Sequence, residues 1–271
     1  MNGAIENALT LTTVGNAYLA GRDITSFWPN DRTFTFMKIC EFRDRPASDH
    51  EDDHPLIAAH PMAWFSSLKP KCRGLRLHHA PRPRAPNQQI DAPDRMLSGF
   101  VGGGPRWLIE TVGDKTSELW EGFLRLGDRE DANRKIWLTT YIRQGEMPPS
   151  ESEPIDLAVA LSDLRTVLPE IEALAREEKL ENFADCFARA RNALEKGAGK
   201  ADWHADAARY TGYDPRQLAV LEALFGAWVF GGMGSWNDIG GGGPHYDDLS
   251  ERLFNALNDT ACGLANSTSR G

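Results

Sequence analysis

Two periods divide the chain. From residue 33 the segment TFTFMKICEF nearly alternates β-branched and aromatic with polar side chains, which suits a pleated, half-buried strand. PRWLIETV (residues 105 to 112) predicts a second strand. ELWEGFLRL (118 to 126) and KIWLTTYIR (135 to 143) flank the polar stretch GDREDANR, which predicts a hairpin with a long connection. On its second strand Ile136, Leu138 and Ile142 share one face, and Trp137 and Tyr141 the other. Both faces carry apolar groups, so at least partial cover on both sides is expected.

After MPPSESEP (147 to 154), which reads as a linker, the apolar step becomes three or four residues. Leu157, Leu161, Leu164, Leu168 and Ile171 form one helical stripe, which Pro169 is expected to split or kink. Leu180, Phe183, Phe187 and Leu194 form another, ended by Gly197 and Gly199. Asp214 as N-cap and Pro215 in the first turn open a helix whose body, QLAVLEALFGAWVFGG, is apolar on nearly every face and so belongs at the centre. A last helix from near Tyr246 buries Leu249, Leu253 and Leu257. The expected fold class is α+β, an antiparallel sheet from the N-terminal half packed with a C-terminal set of four to five helices. The strand-rich region covers residues 1–147, with an irregular insert over about 43–100, and the helical region covers 154–271; the two can form one integrated domain.

Composition narrows the class. An apolar share of 41% and a charged share of 25% match a folded globular chain. The net charge of −9 repels nucleic acid and anionic membrane and would favour a basic partner. The insert divides by charge: an acidic front around Asp49, Glu51, Asp52 and Asp53, then a basic stretch from Lys69 to Arg84. The two can neutralise each other, or the basic part can hold an anion. Cys40, Cys72, Cys186 and Cys262 form no C-x-x-C pair, which argues against a zinc ribbon or redox motif. Cys186 and Cys262 fall in helical patterns as small core residues, and reduced thiols suit the cytoplasm. No signal-peptide pattern opens the chain. Its longest apolar run, Leu218 to Met233, is too short and too interrupted to span a bilayer.

One stretch spells chemistry. HEDDHPLIAAH (50 to 60) resembles the zinc-protease signature H-E-x-x-H-x-x-G-x-x-H, with His50, His54 and His60 as ligands and Glu51 as base. Its context departs from the pattern. Positions 52 and 53 are both Asp, Pro55 disfavours helical geometry at His54, and Ile57 stands where the turn glycine should be. No cofactor or metal is expected.

The glycine clusters GFVGGGPRW (99 to 107), GGMGSWND (231 to 238) and GGGG (240 to 243) fit neither a P-loop nor a dinucleotide fingerprint. GGMGSWND still gathers Ser235, Trp236, Asn237 and Asp238 beside the apolar helix, with His245 close in sequence. It reads either as a ligand or partner pocket or as a helix cap and tight turn with Trp236 in the core. Asp202, His204 and Asp206 read as loop or cap residues. Trp120, Trp137 and Tyr141 form an aromatic face that either binds a ligand or packs beneath helices.

The leading functional expectation is a non-catalytic cytoplasmic protein that binds another protein, as an accessory, assembly or toxin-neutralising factor. The alternative is a hydrolase-type enzyme at the loop 231–245, with Asp238 or His245 as base. A zinc metalloprotease is the minor reading.

Overall fold

The computed structural model describes residues 3–46, 54–83, 92–147, 154–199, 205–239 and 243–269. The class is α+β. Six strands, β1 (Met37–Arg43), β2 (Leu56–Ala58), β3 (Gly74–Ala80), β4 (Arg106–Val112), β5 (Ser117–Leu126) and β6 (Trp137–Met147), form one sheet in the order β2-β1-β6-β5-β4-β3. Neighbours run antiparallel except β1 and β6, so the sheet is mixed rather than purely antiparallel. The hairpin β5–β6 forms where alternation and the polar connection place it.

Three helices belong to the N-terminal half: α1 (Gly3–Leu19), α2 (Pro61–Leu68) and the single turn α3 (Asp94–Leu97). Five follow: α4 (Leu157–Glu177), α5 (Glu181–Lys196), α6 (Ala205–Thr211), α7 (Pro215–Ala227) and α8 (Gly243–Asn266). α4 runs through Pro169 without dividing. α7 starts as expected, with Asp214 and Gln217 closing a capping box, but it stops at Ala227 because Trp228 turns extended. The insert over 43–100 is not irregular throughout, since β2, α2, β3 and α3 lie within it. No helix among the described residues is long and apolar enough to cross a membrane.

α1 carries no visible stripe because nearly all of it is buried. Its polar residues are satisfied from within or by the sheet. Thr12 donates to the Ala8 carbonyl at 2.8 Å, and the Tyr141 hydroxyl donates to Asn7 Oδ1 at 2.9 Å. A Cβ on Gly15 would stand 2.4 Å from Leu75 and 2.8 Å from Phe65, so glycine is what lets α1 close onto β3 and α2. On the same sheet face Phe42 stacks on Trp64 with ring centroids 4.2 Å apart, and Trp120 and Tyr141 complete the cluster. The opposite face, where partial cover is expected, carries charged pairs instead. Arg106 forks onto Glu121, and Arg43 onto Glu41.

The β3 edge is closed by side chains. Asn16 of α1 accepts from the Leu75 amide at 2.6 Å and donates to the Leu75 carbonyl at 2.9 Å. Asn266 of α8 does the same for Leu77, at 2.7 and 3.1 Å. Each carboxamide supplies the donor and acceptor that a seventh strand would offer. Asn266→Ala should therefore leave two buried backbone groups without partners and cost about 2–4 kcal/mol. Urea unfolding measures this, and a loss below about 0.5 kcal/mol would show that the clamp contributes nothing.

Candidate functional site

The described residues form a large cleft of about 2080 Å3 at the end of the sheet. Its floor is the last turn of strand in β5, Gly122 to Leu126, with Trp137, Thr140 and Ile142 of β6. The first turn of α1 and residues 32 to 37 form one wall. The face of α7 carrying Leu218, Leu221 and Phe225 forms another, and the glycine-rich loop 98–103 a third. Much of the lining is therefore aromatic or aliphatic. Phe36, Phe100 and Val101 also remain well exposed, at 52%, 68% and 51%.

Charge in the cleft runs against the charge of the chain. Arg32, Arg43, Arg82, Arg125 and Arg189 line it, against Glu6, Glu41 and Glu222. Arg43 is spent on Glu41, at 2.9 and 3.1 Å, and on the His54 carbonyl at 2.7 Å. Arg189 reaches only the Cys186 sulfur, at 3.3 Å, and neither it nor Arg125 meets a carboxylate among the described residues. Burial pushes the Glu6 carboxyl above its ordinary range, and the nearby charge of Asp31 adds to the shift. A proton on Glu6 makes the cleft more positive.

The glycine-rich wall is held by the loop that sequence singled out. A Cβ on Gly99 would lie 2.1 Å from the Gly231 carbonyl oxygen and 2.7 Å from the Gly232 nitrogen, so the two glycine clusters touch backbone to backbone. Trp236 anchors the second cluster. Its ring is fully buried, stacks on Tyr246 at 5.1 Å, meets the edges of Phe183 and Phe187, and donates from Nε1 to Ser250 at 2.8 Å. Ser235 donates to the Gly231 carbonyl at 3.0 Å. The Asp238 carboxylate accepts from the amides of Gly234 and Ser235. Asn237 donates to the Arg95 carbonyl at 2.8 Å. His245 is exposed on the first turn of α8. These five residues do not converge, and none of them lines the cleft.

The histidines of the zinc-like stretch are also separated. His50 lies outside the described residues. His54 lines the cleft and donates from Nδ1 to the Asp44 carbonyl at 2.9 Å. His60 caps α2, accepting from the Ala63 amide at 3.2 Å. Strand β2 runs between them, in place of the helical turn that such a signature requires. Among the described residues no group of three or more His, Cys, Asp or Glu is placed to hold a metal ion. Asp202 and His204 fall outside the described residues. Three thiols are held protonated by burial: Cys72 is pushed up to about 11, and Cys40 and Cys262 rise further. Trp120 and Tyr141 pack beneath α2 and α1, and Trp137 alone of the three reaches the cleft.

Arg125, Arg189, Glu6 and Phe225 carry no signal in sequence, because they come from four separate elements. The cluster at 99 to 104 gives the one available signal, since repeated glycine marks close backbone approach.

Gly99→Ala should force the two glycine loops apart and cost about 1–3 kcal/mol. Gly102→Ala, at φ +75° with open space around it, should cost about 1 kcal/mol through backbone strain alone. Thermal unfolding compares them, and a Gly99 variant no worse than the Gly102 variant would deny the close contact its importance. Glu6→Gln should stabilise the fold at neutral pH. A carboxyl whose folded pKa is raised is favourable while protonated and costs stability as pH rises through that value. The two proteins should therefore converge below the unfolded value of about 4.3. Urea midpoints at acid and neutral pH test this, and an equal gap at both would refute it. Neither protein-family models, curated proteins nor solved structures give a match to the chain.

Proposed function

We propose that the protein is a non-catalytic binding protein that takes an extended segment of a partner polypeptide, rich in acidic and apolar side chains, into the cleft. One observation carries this: on a chain with net charge −9, a large cleft is lined by more arginine than glutamate over an apolar floor. Its volume of about 2080 Å3 exceeds the roughly 300–1,000 Å3 typical of small-molecule pockets and suits a length of chain. Arginine offers planar, weakly hydrated donors to carboxylates while its stem packs on apolar groups. The net acidity of the whole chain favours a basic partner; the cleft favours an acidic segment. The free cysteines fit a reducing compartment such as the cytoplasm. The hydrolase reading loses support because Ser235, Asp238 and the Asn237 amide nitrogen bond to main chain, and the Trp236 ring nitrogen to Ser250.

Fluorescence anisotropy with short labelled peptides provides the test. A Glu/Leu peptide should bind, and a Lys/Leu peptide of equal length should not. Arg125→Glu combined with Arg189→Glu alters two exposed side chains and should weaken binding about tenfold, or roughly 1.4 kcal/mol. Equal binding of both peptides, or no effect of the double variant, would overturn the reading.

A further inference from the structure

The wall of the cleft ends in a bare apolar tip. Directly beyond the Gly99–Gly231 contact, Phe100 and Val101 on one loop and Met233 on the other are 68%, 51% and 102% exposed. Three large apolar groups exposed on two touching loops mark an interaction surface, whereas scattered ones do not. The tip is also held firmly. Arg95, only 5% exposed, ties α3 to α8 through Asp247 at 2.6 Å and Glu251 at 3.4 Å, and Asn237 fastens the second loop to the Arg95 carbonyl.

Charge surrounds the tip unevenly. On the α8 side stand Asp94, Asp238, Asp247 and Glu251, four acids against Arg95, which pairs with the last two, and Arg82, which lies beside Asp94. On the other side lies the arginine-lined cleft. An apolar knob with an acidic flank thus adjoins an apolar hollow with a basic lining. Two such surfaces on one face satisfy the requirement for a two-fold contact, in which each patch meets its complement on an identical copy.

We infer that the occupant of this face, when no partner is bound, is a second copy of the chain: the tip of each protomer, Phe100, Val101 and Met233, enters the mouth of the other's cleft. The inference rests on the reading of the cleft as a site for acidic and apolar groups, and it adds that self-association competes with the partner. Both tips engage at once, so the contact closes as a dimer and does not propagate into a filament.

Sedimentation equilibrium on the full chain tests it. A reversible dimer is expected, weakened when salt is raised to about 0.5 M, where the screening length falls to about 4 Å. Phe100→Asp and Met233→Asp together should weaken dimerisation at least tenfold without loss of helix signal, because both side chains are exposed. The Glu/Leu peptide should release monomer. A chain that stays monomeric at high concentration, or a dimer indifferent to the tip variants, overturns the inference. The two readings fail separately. Peptide binding by a monomer removes the dimer alone. A tip-dependent dimer that binds no peptide leaves the dimer and removes the partner site.

Discussion

The junction between the two halves of the molecule rests on the β3 edge. An edge strand presents a row of unpaired amides and carbonyls, and burying it without partners would be costly. Asn16 and Asn266 meet that demand at alternate residues, Leu75 and Leu77, from two different helices. The pairing fixes where α8 can lie, because Asn266 must sit level with Leu77. The bond between His79 and Asp259 at 2.7 Å fixes α8 again about two turns earlier. The rest of α8 then extends away from the sheet edge and carries Tyr246, Ser250 and Glu251 to the loops that wall the cleft. The position of the candidate site is in this sense set by the Asn266 carboxamide at the far end of the same helix.

On the proposed reading, electrostatics gives this geometry its selectivity. Most acids among the described residues lie on exposed or half-exposed surface, where solvent and salt weaken them. The arginines of the cleft line it together with Leu124, Leu126 and Trp137 of the floor and Phe225 of the α7 wall, a low-dielectric surround in which a charge acts more strongly. Glu6 faces the same floor and is pushed toward its neutral form. A local surplus of positive charge can therefore dominate recognition although the whole chain is acidic. Net charge describes long-range steering; on the proposed reading, the lining of the cleft decides which segment stays.

Periodicity exposed the elements that have one wet face and one dry face. The β5–β6 hairpin, α4, α5 and α8 were legible for that reason. α1 was not, because a helix buried on nearly every side has no stripe, and its threonines suggest strand as readily as helix. β2 and β3 were missed because they are short or interrupted by charged residues inside a proline-rich, charge-segregated stretch. The parallel pairing of β1 with β6 joins residues about a hundred positions apart, and no local pattern carries such a contact. The cleft was illegible for the same reason. It is assembled from α1, α7, β5, β6 and the loop 98–103, none of which is unusual alone.

The segment GGMGSWND shows why a buttress can be spelled like a site. A tight glycine turn exposes several amides and carbonyls that no ladder satisfies. Small polar side chains are the groups that can reach them, so Ser235, Asn237 and Asp238 gather there and bond to Gly231, Arg95 and the amides of Gly234 and Ser235. A catalytic cluster needs the same residue types, but with at least one polar atom turned toward open space. The discriminating feature is the direction of those atoms, which composition does not encode. In this chain Ser235 and Asp238 bond back onto their own loop and Asn237 fastens that loop to the Arg95 carbonyl of α3, and the cleft gains a wall that presents apolar side chains to water.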